Sequence, residues 1–323
     1  NGWELCSPKT AGNFTAVGYY FGRYLRKELG VPIGLIGSNW GGTRIEPWTP
    51  PTGFKQVAAL KEIADKLDSY PTKNAQGVIN HQTPLALYNG MISPLLPYEI
   101  RGTIWYQGES NADTPDHYAD MLTAMMDHWR DQWQQPALPF FIVQLANYMT
   151  PQVSPQESQW AELRAQQARA AQHDNAWLVT TIDAGEYNDI HPVNKQIVGE
   201  RLALQARAAV YQDKVNTSGP KVTHVESQGS NVVITLDDPQ GLRQVNGQQS
   251  GFTLSGEDGR FYWASVTRSG NQFTLSHPEV SAPTTVRYAW ADNPVYSITD
   301  ADGRPLVPFE YDLNNTSQEA PYR

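Results

Sequence analysis

The chain has 323 residues, a formal net charge of −9, 40% hydrophobic residues and one cysteine. The length and the apolar content allow a sizeable core and favour two domains. The acidic balance argues against a nucleic-acid partner. No apolar stretch reaches the roughly 20 residues that a membrane span needs, and a lone Cys6 excludes an internal disulfide.

Helices and strands are predicted to alternate through the first two thirds of the chain. Apolar residues recurring at steps of three and four predict helices at 12–29, 56–70, 117–133, 157–172 and 193–211. Short apolar runs predict strands at 31–37, 101–108, 139–146 and 176–183. Such alternation is typical of a mostly parallel sheet covered on both faces by helices.

The composition changes near residue 215. Beyond it, short segments rich in Val, Thr, Phe and Tyr are separated by Gly, Asn, Asp or Pro, which is the pattern of a small antiparallel β domain. We therefore predict an α/β domain at 1–214 and a β domain at 215–323.

Three loops follow predicted strands and carry polar side chains: 37–48, 106–111 and 183–192. In open parallel sheets, ligands bind outside the carboxyl ends of the strands. The three loops are therefore expected to open on one side of the sheet.

His191 is the first candidate for catalysis, because an imidazole can take up and return a proton near neutral pH. Asp189, two residues earlier, could orient that ring and stabilise its charged form. Each residue also has a structural interpretation, His191 as a hydrogen-bonded histidine at a helix start and Asp189 as an N-cap. Asp183 is the reserve orienting acid.

Hydrogen-bond donors for a developing oxyanion are expected in two of the loops. The Gly41-Gly42 pair lets backbone N–H groups face a ligand, although a glycine pair can also be a plain tight turn. Gln107 and Asn111 bring side-chain amides, which could equally be structural.

The sequence offers no clear nucleophile. Ser38 lies in a suitable loop, but "GSNWG" lacks the G-x-S-x-G spacing of a nucleophile elbow. The seven histidines are scattered singly, so that no metal site is predicted.

Three blocks together carry a resemblance to a known family. "GLIGSNWGGTRIEPW", "LYNGMISPLLPYEIRGTIWYQGESNA" and "DIHPVNKQIVGERLA" resemble blocks of the sialate O-acetylesterases, carbohydrate esterases of the SGNH-hydrolase superfamily, and further similar segments extend over nearly the whole chain. The resemblance implies a flavodoxin-like three-layer α/β/α sandwich with a C-terminal antiparallel β domain. It also implies a serine esterase that releases O-acetyl groups from sugars without a cofactor, in a secreted, periplasmic or lysosomal setting.

The resemblance also implies roles for particular residues. His191 would be the general base and Asp189 its orienting partner, while Gly42 (or Gly41) and Gln107 would form the oxyanion hole. Asn111 and Arg44 would contact the sugar.

The nucleophilic serine of the resembled family lies in a "GQSNM"-like block upstream of the "WELCSP" segment, and this sequence has no such block. The expectation is a preceding segment that carries the serine, either as a separate chain of a cleaved precursor or as a part removed by truncation. Ser38 stays as the alternative nucleophile. Two other functions remain open, an esterase acting on acetylxylan or another polysaccharide, and a carbohydrate-binding protein that has lost catalysis.

Overall fold

A computed structural model describes residues 2–237, 241–244 and 250–315. The chain forms two compact units, the first of Asn1–Val143, His173–Val179 and Val193–Thr217, the second of Gln144–Gln172, Thr180–Pro192 and Ser218–Arg323. The chain passes repeatedly between the units, so neither is a single stretch of sequence. The domain bounds expected from the sequence, 1–214 and 215–323, stay a prediction.

The α-helices are α1 (Ala16–Leu29), α2 (Pro51–Gln56), α3 (Lys61–Ala64), α4 (Tyr118–Trp133), α5 (Gln159–Ala170) and α6 (Lys195–Ala209). The first three strands are β1 (Thr103–Trp105), β2 (Phe140–Val143) and β3 (Ala176–Val179). They form a parallel sheet in the order β1-β2-β3.

The first unit has three layers because successive side chains of a strand point to opposite faces of the sheet. Phe141 and Val143 of β2 pack into an apolar core with α1 and α6. Phe140 points the other way, and its ring lies 5.9 Å from that of Trp129 in α4. The sheet is thus covered on both faces, which confirms the predicted α/β class.

The described part of the second unit contains α5, two four-stranded antiparallel sheets and one two-stranded antiparallel sheet. Its strands are β4 (Val222–Gln228), β5 (Asn231–Leu236), β6 (Arg243–Gln244), β7 (Phe252–Ser255), β8 (Phe261–Trp263), β9 (Ser265–Ser269), β10 (Gln272–Ser276), β11 (Thr285–Tyr288), β12 (Ile298–Thr299) and β13 (Phe309–Asp312). One sheet has the order β4-β5-β10-β9, the other β13-β11-β7-β8, and β6 pairs with β12. The two four-stranded sheets share one apolar core that includes Ile234, Phe252, Phe273 and Tyr288.

Two predicted elements are wrong. Residues 31–37 form no strand, because a strand needs a hydrogen-bonded neighbour and, within the described residues, the edge of β1 opposite β2 has no strand partner. The predicted helix 56–70 is broken into short turns, since Val57 is extended. Of its apolar residues only Leu60 is buried, so little packing supports a long helix.

Within the described part of the chain, no helix combines the length and the apolar character needed to cross a membrane.

Candidate active site

The Gly41-Gly42 turn in the first unit is exposed and open. Gly42 has φ +70°, the left-handed region that glycine adopts most easily, and a Cβ on either glycine would meet nothing within 4 Å. The side chain of Gln82 holds the turn by donating to the Gly42 carbonyl at 2.9 Å. Among the described residues, no hydrogen bond uses the N–H of Gly41 or Gly42. These two donors can therefore face a ligand.

Asn111 joins the loop after this turn to the loop after β1. Its side chain is fully buried. The Oδ1 atom accepts from the Ile45 N–H at 3.0 Å and from Nε2 of Gln107 at 2.8 Å, and Nδ2 donates to Glu46 at 3.2 Å. Buried polar groups need such partners, so Asn111 fixes the relative position of the two loops.

Gln107 is equally engaged. Besides its bond to Asn111, Nε2 donates to the Thr43 carbonyl at 3.0 Å, and Oε1 accepts from the Tyr118 hydroxyl at 2.8 Å. The two hydrogens of the amide thus point into the protein. To serve an oxyanion, as the sequence predicts, the amide would have to exchange one of these bonds.

Arg44 lies at the surface of the same cluster. Its Nε donates to Glu46, Nη1 to the Ser110 carbonyl and to Asp113, and Nη2 to Thr114. Burial lowers the pKa of the guanidinium, but the charges of Glu46 and Asp113 outweigh that effect and leave the pKa above its usual value. Of the five N–H groups of an arginine, one has no partner among the described residues.

Ser38 uses its hydroxyl inside the protein. Its Oγ donates to the Met91 carbonyl at 3.2 Å, and the side chain is partly buried. A nucleophilic serine needs a base within hydrogen-bond reach. Instead, the observed partner is a carbonyl oxygen, an acceptor that cannot take the proton.

His191 and Asp189 lie together in the second unit. Oδ1 of Asp189 accepts from the backbone N–H of His191 at 2.8 Å, and the same oxygen is 3.6 Å from Nδ1 of the imidazole. The His191 side chain is 86% exposed. Because Nε2 has no partner among the described residues, the ring can accept a proton from outside.

The structure thus brings the predicted residues together in two groups. Gly42, Arg44, Gln107 and Asn111 meet in the first unit, together with Ser38 in the same loop region, and His191 and Asp189 meet in the second. Sequence reasoning missed three supporting residues of the first group, Thr43, Glu46 and Tyr118. Tyr118 looked like one more apolar position of helix 117–133, and no sequence pattern marks its hydroxyl as the partner of Gln107.

Metal ligands are not clustered in the part of the chain that the structure describes: no three His, Cys, Asp or Glu side chains are arranged to hold an ion.

Comparisons with known proteins agree on one family. A family model described as carbohydrate esterase, sialic acid-specific acetylesterase, matches residues 7–208. The chain is 31% identical to the sialate O-acetylesterase of Mus musculus, covering 88% of this chain and 60% of the mouse protein. The corresponding human protein is 31% identical, over 87% of this chain and 56% of the human one. The chain therefore spans less than two thirds of the length of these curated relatives.

A solved structure is similar over almost the whole chain. The crystal structure of a carbohydrate acetylesterase from Xanthomonas citri matches with a TM-score of 0.84 and 36% identity, covering 96% of this chain and 68% of that one.

Replacing Asn111 by alanine tests the supporting network. Asn111→Ala leaves the buried Ile45 N–H and one Gln107 donor unpaired, so we expect the free energy of unfolding to fall by about 2–4 kcal/mol. Urea unfolding followed by tryptophan fluorescence measures this. Ser110→Ala is the matched control, since only the carbonyl of Ser110 takes part, and should stay within about 0.5 kcal/mol of the wild type. Equal stability of both variants would contradict the network.

Proposed function

Because the chain belongs to the sialic acid-specific acetylesterase family of carbohydrate esterases, we propose that it supplies the acid–base and oxyanion groups of a serine esterase that removes O-acetyl groups from sialic acid. The observation that supports this most is the exposed imidazole of His191, with Asp189 beside Nδ1 and no described partner on Nε2.

The proposed reaction is acyl transfer in two steps. A serine hydroxyl attacks the acetyl carbonyl while Nε2 of His191 takes its proton, and the same proton passes to the departing sugar oxygen. Water then attacks the acetyl-serine while Nε2 of His191 takes its proton, the bond between Oγ and the acetyl carbon breaks, that proton returns to Oγ, and the acetyl group leaves as acetate with its own proton released to solvent. No redox step or cofactor is needed for this sequence.

The oxyanion is assigned to the backbone N–H of Gly42, with Gly41 as the neighbouring donor and the amide of Gln107 as a further one. Preorganised donors of this kind are often the largest contribution to acyl-transfer catalysis. Two features support the assignment: neither N–H group has a hydrogen-bond partner among the described residues, and neither glycine carries a side chain that would shield its backbone.

Asp189 is assigned to orient His191. The 3.6 Å separation of Oδ1 and Nδ1 is longer than a hydrogen bond, so the orienting role requires the exposed ring to move closer to the carboxylate. Catalytic hydrogen bonds are often long before substrate binds.

Sugar contacts are assigned to Arg44 and Asn111. Arg44 is the better supported of the two, because its side chain is partly exposed and one N–H is not engaged by the described residues. A contact from the fully buried Asn111 would require its loop to open.

The nucleophilic serine is proposed to come from a segment outside this sequence. Two observations support that. The hydroxyl of Ser38 is engaged with a carbonyl, and the edge of β1 opposite β2 lacks a strand partner among the described residues, while Val31 and Ile36 leave apolar side chains exposed. A strand of the serine segment pairing with β1 would satisfy the open edge. A secreted, periplasmic or lysosomal setting is part of the same proposal.

His191→Ala should lower kcat by about 10⁴-fold or more in the enzyme that includes its serine segment, because no other group then takes the serine proton. Release of p-nitrophenol from p-nitrophenyl acetate measures this. The unfolding temperature should stay unchanged, since the side chain is exposed. His224→Ala is the control, a surface histidine 3.5 Å from Glu226. Unchanged turnover in His191→Ala would remove His191 from the mechanism.

A fluorophosphonate reagent, which labels activated serines, should leave this chain unmodified and label the segment that carries the nucleophile. Denaturing mass spectrometry of the complete protein locates the added mass. A label on Ser38 would overturn the proposal that the serine lies elsewhere.

Acetate release should be faster from 9-O-acetylated sialic acid than from acetylated xylan, measured by kcat/KM on both substrates. The opposite order would make the protein an esterase of plant polysaccharide. Sugar binding without hydrolysis of either substrate, with the serine segment present, would instead identify a carbohydrate-binding remnant.

A further inference from the structure

The loop that carries Asp189 and His191 is held at its start by Asn147. Oδ1 of Asn147 accepts from the Gly185 N–H at 2.7 Å. The backbones are in direct contact, because a Cβ on Gly185 would lie 1.9 Å from the Asn147 carbonyl oxygen. Tyr148 next pairs with Glu186 in a parallel bridge, and Glu186 pairs with Asp189 in an antiparallel one.

The turn after β11 holds Asn147 in its place. Nδ2 of Asn147 donates to Oδ1 of Asn293 at 3.1 Å, and Nδ2 of Asn293 donates to the Met149 carbonyl at 2.7 Å. The N–H of Tyr148 donates to the Asp292 carbonyl at 3.1 Å. Asp292 and Asn293 thus form hydrogen bonds along the whole segment 147–149, whose first residue contacts Gly185.

Arg164 of α5 fastens the same two segments together. Its guanidinium is fully buried, and burial lowers its pKa to about 9, although the charge of Asp292 acts in the opposite direction. It donates to four backbone carbonyls, those of Leu145, Ala146, Ala291 and Asp292, at 2.6–2.8 Å. A buried charge is costly unless it is fully hydrogen-bonded, so sliding of either segment is strongly opposed.

The His191 side chain depends on this support more than a buried residue would. It is 86% exposed, and Asp189, the charged neighbour that the structure records for its ring, lies on the same loop. The position of the imidazole is therefore set by the backbone of the loop, and the loop is set by its contacts with Asn147 and Tyr148.

From this arrangement we propose that Asn147 and Asn293 are positioning residues for His191, and that the C-terminal β strands act on the reaction through them. The inference rests on the proposed catalytic role of His191. It assigns a role in turnover to Asn293, whose side-chain hydrogen bonds in the described part of the chain go to Asn147 and Met149 and not to the histidine loop, and which lies more than 100 residues further along the chain. A misplacement of about 1 Å in a catalytic group can cost about 100-fold in rate.

The test compares Asn293→Ala with Asn271→Ala, which removes a hydrogen bond of the same kind elsewhere in the second unit. Nδ2 of Asn271 donates to the Leu236 carbonyl at 2.7 Å, the same length as the bond from Asn293 to Met149. Asn293→Asp is the conservative variant, because its carboxylate still accepts from Asn147. Each variant is examined by steady-state kinetics of the complete enzyme and by hydrogen–deuterium exchange of residues 183–192.

Asn293→Ala should lower kcat by about 10- to 100-fold with KM within about twofold, and speed exchange of the loop amides by about threefold to tenfold. Asn293→Asp, which keeps the bond from Asn147 but loses the donor to the Met149 carbonyl, should recover only part of kcat, and Asn271→Ala should match the wild type in both measurements. Unchanged exchange in Asn293→Ala would show that the contacts of Asn293 with Asn147 and Met149 do not hold the loop. Faster exchange with unchanged kcat would overturn the positioning role.

The exchange measurement keeps this inference separate from the proposed function. The proposed function is contradicted if the wild type hydrolyses no ester, or if His191→Ala leaves turnover unchanged. The exchange rates of Asn293→Ala then still decide whether the contacts of Asn293 hold the loop in place.

Discussion

The buried charge of Arg164 is the constraint on which the second unit depends. A guanidinium without water must find oriented oxygen atoms for its N–H groups, and here they are backbone carbonyls. Carbonyls of two chain segments have to be held at fixed distances for that to work. Moving the two segments apart would break these hydrogen bonds and leave a buried charge without partners. The Arg164 side chain therefore fixes the distance between the segment that follows β2 and the turn that follows β11.

The polar groups of the candidate site divide into two kinds. Asn111 and Gln107 are saturated inside the protein and define where their loops lie. The glycine N–H groups, one N–H of Arg44 and Nε2 of His191 are not engaged among the described residues. Saturated groups make a scaffold rigid, whereas unsaturated groups at the surface can meet a ligand. A chemical role is therefore better indicated by what a side chain leaves unpaired than by its residue type.

The sequence predicted helices α1, α4, α5 and α6 close to their observed bounds, because their apolar periodicity reflects real burial. The three parallel strands were predicted in the right places, but each predicted run extends beyond the three or four residues that form the strand. The sequence-based prediction was wrong where the structure of a segment depends on a second segment that packs or pairs with it. Residues 31–37 have the composition of a strand, but pairing is a property of two segments. In the candidate site, His191 and Gly42 stood out through local patterns. The partners of Gln107 did not, because Thr43 and Tyr118 come near it only after folding, and the role of Asn293 depends on contacts across 144 and 146 positions.

The long span of the Arg164 bonds has a consequence for biosynthesis. Two of its acceptors lie 127 and 128 positions further along the chain, and closing such distances is slow compared with local folding. During synthesis, the stretch with the histidine leaves the ribosome well before the turn that will hold it. The loop can therefore take its final shape only after the turn at 291–293 has been translated. A nascent chain that stalls before this turn would carry both side chains proposed here for acid–base chemistry and still lack their working arrangement.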